Sequence, residues 1–458
     1  VDAAGAADSF VTTGAATLSG ATLAVNPVDG FAYGARYTVL TADGGLSGTF
    51  AGLAGRTSTA FLRVEDSYDS RNAYLDVVRY RRFADAGLTP NQTATGEGLD
   101  SIPPAGPLFD AVIGLATDAQ ARDAFDRLSG EIHASAKNAL IEDSRLVRDA
   151  ATDRIRSAFA AAAAPSLPVM AYGEDEAASA IAAADRLAIW GRGLGAWGKV
   201  DGDGNAAALH YLTGGLLIGA DAPVSGNWRL GAVAGYSHTG LSARDRASSG
   251  SSQNYHFGLY GGARFGDLGL RGGIAYTRHD ISTARTAAFA GFSDSLTARY
   301  GADTLQAFGE VGYGFSMARA TLEPFAGLAH VHLRTGAFTE RGGAAALRVD
   351  GQSTGSTFAT LGLRASADLH LGAVKATARG MLGWRHAFGS AAPLSHHAFA
   401  GGSAFAIAGV PVARDAAILE AGMDFRLTPA ATLGLSYNGE LAAAAQRHAL
   451  RADLAIRF

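Results

Sequence analysis

The sequence predicts an all-β membrane protein: a twelve-stranded antiparallel transmembrane β-barrel with a pore-threading α-helix, preceded by a short β-helix (solenoid) end. Three observations carry that reading. Residues 448–458 alternate strictly: Leu450, Ala452, Leu454, Ile456 and Phe458 share one face, while Arg451, Asp453 and Arg457 share the other with Ala449 and Ala455. Such a strand has lipid on one side and a polar lumen on the other. About eleven earlier segments after residue 186 read in similar fashion. Finally, no stretch approaches the roughly eighteen consecutive apolar residues of a membrane helix, so only strands could span a bilayer.

Composition agrees. Glycine makes up 60 of the 458 residues, about 13% against a usual ~7%. Most of the excess lies after Trp190, where it permits the curvature and close backbone approach a closed barrel needs. A net charge of −4 gives no global attraction to nucleic acid, and the absence of cysteine removes disulfide and thiolate chemistry. The chain opens at Val1 with neither an initiator Met nor a cleavable leader, so these residues are expected to be the C-terminal part of a longer precursor.

From residue 11 to 82, short β segments alternate with Gly-rich turns. Runs this short stack as rungs rather than forming a broad sheet, although no fixed repeat period is visible. A polar linker, 88–106, follows, with breakers from Leu88-Thr-Pro-Asn-Gln to Pro103-Pro104. The period then becomes helical. Phe109, Val112, Ile113 and Leu115 open a helix after Pro107 that runs to Leu128, where Ser129 and Gly130 interrupt it. A second helix from Glu131 carries Ile132, Ala136, Leu140, Val147, Ala151, Ile155 and Phe159 on one side. Its other surface sets Lys137, Arg145, Arg148, Arg154 and Arg156 against Glu142, Asp143, Asp149 and Asp153. Alone, this would read as a solvated helix with i,i+4 ion pairs. Ahead of a barrel, about 45 Å of helix is enough to thread an apolar belt about 25 Å tall. Residues 160–184, alanine-rich with Pro165 and Pro168, read as a hinge.

Twelve strand candidates follow, near 186–200, 207–222, 227–243, 253–265, 267–283, 296–315, 319–338, 346–369, 373–388, 415–427, 431–443 and 447–458. Parity is clean in several: Tyr255, Phe257, Leu259 and Phe265 oppose Asn254, His256 and Arg264. It is poor in the seventh, where Phe325, Val331 and Leu333 share a side with Glu323. Connections after even-numbered strands are tight. Most after odd-numbered strands are longer and polar, as at 244–252, 284–295 and 389–414, which is the outer-membrane arrangement.

These stretches resemble the autotransporters, or type V secretion proteins, of Gram-negative bacteria. The matching runs are YTVLTA from Tyr37 with Gly48-Thr-Phe, LTPNQ from Leu88, QARDAFDRLSGEIHASA from Gln120, IWGRGLGAWG from Ile189, FAGLA from Phe325, and the terminal Phe458. The resemblance implies a translocator barrel with a helix through its pore, after the end of a right-handed β-helical passenger stalk. The expected division is 1–87 passenger end, autochaperone-like; 88–106 linker; 107–185 helical linker and hinge, partly inside the pore; and 186–458 barrel. The resemblance also implies a barrel-assembly signal, matched at Arg451, Ile456 and Phe458, with Asp453 in place of the customary glycine. Implied partners are outer-membrane lipid, the barrel-assembly machinery, periplasmic chaperones and the protein's own passenger, with the barrel in the outer membrane and the stalk at the cell surface. Some members cut themselves in the pore through an asparagine amide. Asn138, the only asparagine in the helix, is the candidate, but neither a general base nor strain is legible there, so an inert amide is the reading adopted.

No motif specifies an enzyme, a metal or a cofactor. The pairs His330/His332 and His396/His397 share a strand face or lie in a long loop without a ligand cluster. Gly193-Leu-Gly lacks the lysine of a P-loop, and Asp201-Gly-Asp-Gly-Asn lacks the closing glutamate of an EF-hand. Gly351-Gln-Ser-Thr-Gly355 sits in a strand candidate with no helix after it. The expected function is therefore mechanical: an outer-membrane translocator supporting export and surface anchoring of an N-terminal passenger. A diffusion porin is the rival, and gives no role to the charged helix. An outer-membrane enzyme barrel is the second rival, and would need titratable residues converging at one rim.

Overall fold

The computed structural model describes residues 1–2, 6–159, 161–162, 164, 169–171, 187–317, 320–371, 374–428 and 431–456. The chain opens with β1 (Phe10–Thr12), β2 (Ala16–Thr17), β3 (Thr22–Val25), β4 (Arg36–Ala42), β5 (Leu46–Ser47) and β6 (Gly52–Gly55). Phe10 pairs in parallel with Leu40, Ala16 with Leu46 and Thr22 with Gly52. Each offset is 30 residues, so one coil stacks on the next with a period the composition does not show. A hairpin of β7 (Leu62–Tyr68) and β8 (Asn72–Arg79) closes the stack, β8 pairing antiparallel with β4.

Residues 88–106, expected as an irregular linker, contain helix α1 (Pro90–Asp100). The expected single helix from Pro107 to Leu128 is two, α2 (Pro107–Ile113) and α3 (Asp118–Leu128). Matching capping boxes start α1 and α3. Thr89 accepts from the Gln92 N–H while Gln92 Oε1 accepts from the Leu88 N–H, and Thr117 and Gln120 repeat the exchange, with Ala116 as donor. Gly130, at φ +67°, ends α3. The second helix runs as α4 (Ile132–Asp143) and α5 (Arg145–Ala158). They meet at Ser144, whose hydroxyl donates to the Ile141 carbonyl.

The remaining elements are β9 (Val169–Ala171), β10 (Ala188–Val200), β11 (Leu209–Ser225), β12 (Trp228–Ala243), β13 (Ser248–Phe265), β14 (Leu268–Phe289), β15 (Phe292–Tyr313), β16 (Phe315–Ser316), β17 (Ala320–Thr335), β18 (Phe338–Thr339), β19 (Arg348–Val349), β20 (Gln352–Leu371), β21 (Val374–Phe388), β22 (Leu394–Ala398), β23 (Phe405–Ala408), β24 (Asp415–Thr428), β25 (Ala431–Leu441) and β26 (Ala445–Ile456). Strands β10–β15, β17, β20, β21 and β24–β26 form a closed antiparallel barrel of 12 strands. The ring closes where β26 pairs with β10, from Ala196↔Ala449 to Val200↔Ala445, and β9 takes the same edge of β10 lower down, at Ala188–Trp190. Two-residue turns opened by Gly226 and Gly266, both at positive φ, lie at one rim. The opposite rim carries the long loops 336–351 and 389–414. The loops expected at 244–252 and 284–295 shrink to 244–247 and 290–291, because β13, β14 and β15 continue through them.

The outer face carries an apolar band including Leu216, Leu259, Ile274, Leu305, Leu361 and Leu382, all exposed. Trp197, Tyr236, Tyr255, Tyr276 and Trp384 border it toward the loops, and Trp228, Phe265 and Tyr313 toward the turns. Trp228 and Tyr236 are separated by about 27 Å of strand, close to 21 Å in height at the usual tilt of about 40°, against a typical apolar band of about 25 Å. Beyond the loop-side girdle, β14 and β15 continue with exposed ion pairs such as Arg278 Nη1 to Asp303 at 3.1 Å. The awkward parity of the seventh barrel strand is resolved inside. Glu323, Phe325, Val331 and Leu333 all face the lumen, where Phe325 lies under the Arg364 guanidinium and the two aliphatics pack near Leu140 and Ile141 of α4. Among the described residues, no helix is long and apolar enough to cross a membrane.

The largest core lies outside the barrel. Val25, Tyr37, Leu62 and Leu75 of the stack and Leu99, Phe109, Phe125 and Leu128 of the helices share it with Leu347, Phe399, Phe405 and Ile407 of the loops and Ala287 and Leu296 of the β14–β15 hairpin. Full burial of such a side chain contributes about 1.5–3 kcal/mol. The outward band has its own test. Leu259→Arg, at mid-height on β13, should cost about 2–4 kcal/mol, read as loss of the fast-migrating unboiled form on a denaturing gel, whereas Gln253→Arg, above the girdle, should leave that form intact.

Candidate functional site: a pore filled by a helix

Residues 132–158 run through the barrel for about 40 Å. The entry end is tied to the loop rim: Glu131 accepts from Arg246 Nε at 2.9 Å and from the Ala207 N–H at 2.8 Å. Burial pushes this carboxyl up to about 7, against the pull of Arg246. The exit end lies at the turn rim, where Arg264 donates to the Phe159 carbonyl. One side of α5 is apolar, with Val147, Ala151 and Ile155 packing against Trp190, Leu217, Val233, Tyr260 and Ala275 of β10–β14. Between its charged side and the wall from β15 to β26 remains a cavity of about 110 Å³, large enough to hold water.

Charges meet carboxylates in tiers down the pore. At the mouth, Glu340 accepts from Arg285 Nε and Nη2 at 2.8 and 2.6 Å, from His133 Nε2 at 2.8 Å and from the Leu347 N–H at 2.9 Å. Burial alone would raise Glu340, but Arg285 and His133 hold it well below the carboxylate range. Lower, Glu142 accepts both Arg385 Nη groups at 3.0 Å, and Glu440 bridges Arg385 and Arg145. Asp143 accepts from the Thr213 and Thr239 hydroxyls at 2.8 and 2.6 Å. Arg148 donates to Gln306 at 2.9 Å. Asp153 takes Arg156 and Arg192, each at 2.8 Å. At the exit, Arg154 grips Asp221 in bidentate fashion at 2.7 and 3.0 Å, joined by Arg229 and the Tyr260 hydroxyl.

Strand parity points to Glu310, Glu420 and Asp424 as partners for the helix arginines; Glu310 and Glu420 do act on the charge of Arg156, but their salt bridges run to arginines of the wall. Glu310 is held with Glu323 by Arg271 and Arg364, while Arg379 sits 3.0 Å from Asp424 and 3.7 Å from Glu420. The salt bridges of the helix arginines include Glu440, Asp221 and the helix's own Asp149 and Asp153. Asp221 and Arg229 flank the turn at Gly226 on lumen-facing positions, and that inward parity is the signal that could have found them.

Lys137 donates to Gln352 at 2.9 Å and to the Leu394 carbonyl at 2.5 Å. The Asn138 amide donates to the Val410 and Pro411 carbonyls at 3.2 and 2.8 Å. Arg451 and Ile456 lie in β26 with side chains outside the described residues, and Phe458 lies outside them entirely. His330 and His332 face outward from β17, while His396 is a loop residue bonded to Gln352. His397 is fully buried, with Nδ1 bonded to the Ser129 carbonyl at 2.8 Å. Asp203, in the 201–205 run, caps the N–H groups of Asn205 and Ala206. Among the described residues, no group of three or more His, Asp or Glu could hold a metal ion.

Residues 189–438 match the autotransporter beta-domain family. Two proteins named extracellular serine protease, both from Serratia marcescens, are 39% and 38% identical over 359 residues, 78% of this chain and 33% of each relative. The chain thus spans about a third of their length. The translocator domain of the autotransporter NalP from Neisseria meningitidis superposes with a TM-score of 0.52 at 16% identity, covering 71% of this chain and 99% of that one, a likeness of fold. With the family match covering more than half of a chain folded as a closed barrel around its own helix, this protein belongs to the autotransporters, and its barrel is an outer-membrane translocator.

Proposed function

We propose that residues 132–158 stay in the pore once export is complete, sealing it and tethering the exported chain. The observation that supports this is anchorage at both ends: Glu131 to Arg246 at the mouth, and Arg154 with Arg229 on Asp221 at the exit. Residues 1–87 are then the end of a β-helical passenger, 88–106 its link, 107–185 the helical linker and hinge, and 186–458 the translocator. Assembly would use the barrel-assembly machinery and periplasmic chaperones, for which the support is the match at Arg451, Ile456 and Phe458. For the passenger itself we favour a secreted serine protease. The 359 residues shared with the Serratia proteins exceed the 250 of the beta-domain match, so the similarity reaches beyond the barrel.

Self-cleavage at Asn138 would require its amide nitrogen to attack its own backbone carbonyl carbon. That nitrogen donates to two loop carbonyls from within a continuous helix, with no carboxylate bonded to it, so we assign it to holding residues 410–411. The intact mass of protein taken from outer membranes should show no break between Asn138 and Ala139. A fragment beginning at Ala139 would reverse the assignment.

Deleting residues 132–158 should turn a small, flickering conductance in planar bilayers into a large steady one; an unchanged conductance would put the porin reading ahead. Seating at the mouth should also depend on pH. Burial, with His133 nearby, pushes His397 down to about 3, whereas a free imidazole titrates near 6.5. The docked loop therefore favours the neutral ring, and docking is full above pH 6.5 and weakens as pH falls toward 3. Hydrogen exchange across 394–412, corrected for intrinsic rate, should accelerate between pH 7 and 5, and His397→Asn should flatten that response.

A further inference from the structure

Residues 405–412 of the long loop touch two different parts of the chain at once. On the pore side, the Val410 N–H donates to Ser135 Oγ at 3.1 Å, the Val410 and Pro411 carbonyls accept from Asn138, and Val412 packs with Leu140 and Ile141. On the outer side, the same segment carries α1. Asn91 is 2% exposed, and its side-chain amide pairs reciprocally with the backbone of Ala408, donating at 2.8 Å and accepting at 2.9 Å. Its backbone N–H, one of the donors a helix start leaves open, goes to Asn205 Oδ1 at 2.7 Å on a second barrel loop. Farther along α1, a Cβ on Gly98 would stand 2.4 Å from a Phe405 ring carbon, and the Ser403 N–H donates to Ser101 Oγ at 2.8 Å.

We propose that residues 405–412 are a two-sided latch: α1, docked through Asn91, holds the loop closed on the pore helix, so that sealing depends on the exported segment having folded and docked outside. This rests on the reading of 132–158 as a plug. The chemistry of the clasp is restrictive. Aspartate at 91 could accept from the Ala408 N–H but could not donate to its carbonyl; alanine would leave both groups unpaired beneath the helix. Only two residues lie between Ala408 and Pro411, so loosening the first frees the carbonyls that hold Asn138. Among the described residues, neither Asn91 nor Asn205 hydrogen-bonds a residue of the pore helix, so an effect of their substitution on conductance is one of coupling through the loop.

The test is single-channel recording of the whole chain in planar bilayers, with heat-modifiable migration confirming a folded barrel. Asn91→Ala and Asn91→Asp should each raise the open probability about tenfold or more, within the roughly 5–150-fold range typical of coupled sites. Asn205→Ala, which leaves α1 unaltered and changes only the barrel, should move it the same way, and Gly98→Leu should do so by lifting α1 from Phe405. Unchanged open probability in Asn91→Ala and Asn205→Ala, beside a deletion of 132–158 that opens the pore, overturns the latch and leaves the plug standing. If the deletion is also silent, the plug reading fails and takes the latch with it.

Discussion

Hydrocarbon offers no partner for a backbone N–H or carbonyl, and everything else in this molecule follows from meeting that constraint with strands. An open sheet would leave an edge unpaired, so the ring has to close, here through the pairing of β26 with β10. Closure creates an inside. Because lipid claims one face of every strand, the alternate residues are delivered to a lumen that water cannot fill as bulk solvent. The lumen must therefore satisfy itself, and it does so with arginines and carboxylates distributed over wall and helix. Breaking such a pair leaves an uncompensated buried charge, at about 3–5 kcal/mol. That penalty fixes rotation and depth of the helix more sharply than it adds net stability, since each charge had first to leave water.

A second consequence falls outside the membrane. The helices α1–α3 and the strand stack carry apolar residues, such as Leu99, Phe109 and Phe125, for which the short rungs alone provide too little cover. The barrel loops complete that core with Leu347, Phe399, Phe405 and Ile407. The two rims therefore differ in kind. One is reduced to two-residue turns at Gly226 and Gly266, while the other is built up into a platform. An exported segment finds burial only on the platform side, which gives the finished structure a direction without any energy source.

How much of this is legible in the sequence depends on what each signal encodes. Period-two alternation encodes which face a residue takes, so the strands, their number and the outward Tyr255, Phe257 and Leu259 could be read directly. Alternation does not encode height. Strand tilt and stagger decide which inward residues meet at one level, and this is why Asp221 and Glu440 form salt bridges with the helix arginines while Glu310 and Glu420 form theirs with arginines of the wall. The extension of β14 and β15 was hidden for another reason: over 284–295 apolar residues such as Ala287, Phe289 and Phe292 fall on both parities beside Arg285 and Asp294, and a strand without contrast between its faces looks like a loop. The coil spacing of 30 residues was invisible because rungs that pair over only two to four residues bring too few side chains inside to repeat a pattern. By contrast, α1 was written plainly in Thr89-Pro-Asn-Gln, a capping box with proline at its first position, masked by a helix too polar to show a stripe.

The size of the lumen connects sealing with passage. A helix with its side chains is about 10–12 Å across, so the pore without its helix has a cross-section of at least roughly 100 Å². An extended chain occupies about 4.8 Å in the hydrogen-bonding direction and about 10 Å across its side chains, roughly half that area. One helix or two extended segments therefore fit, and a folded domain does not. The same geometry that lets 132–158 plug the pore requires whatever passes before it to travel unfolded, and leaves folding to the platform outside.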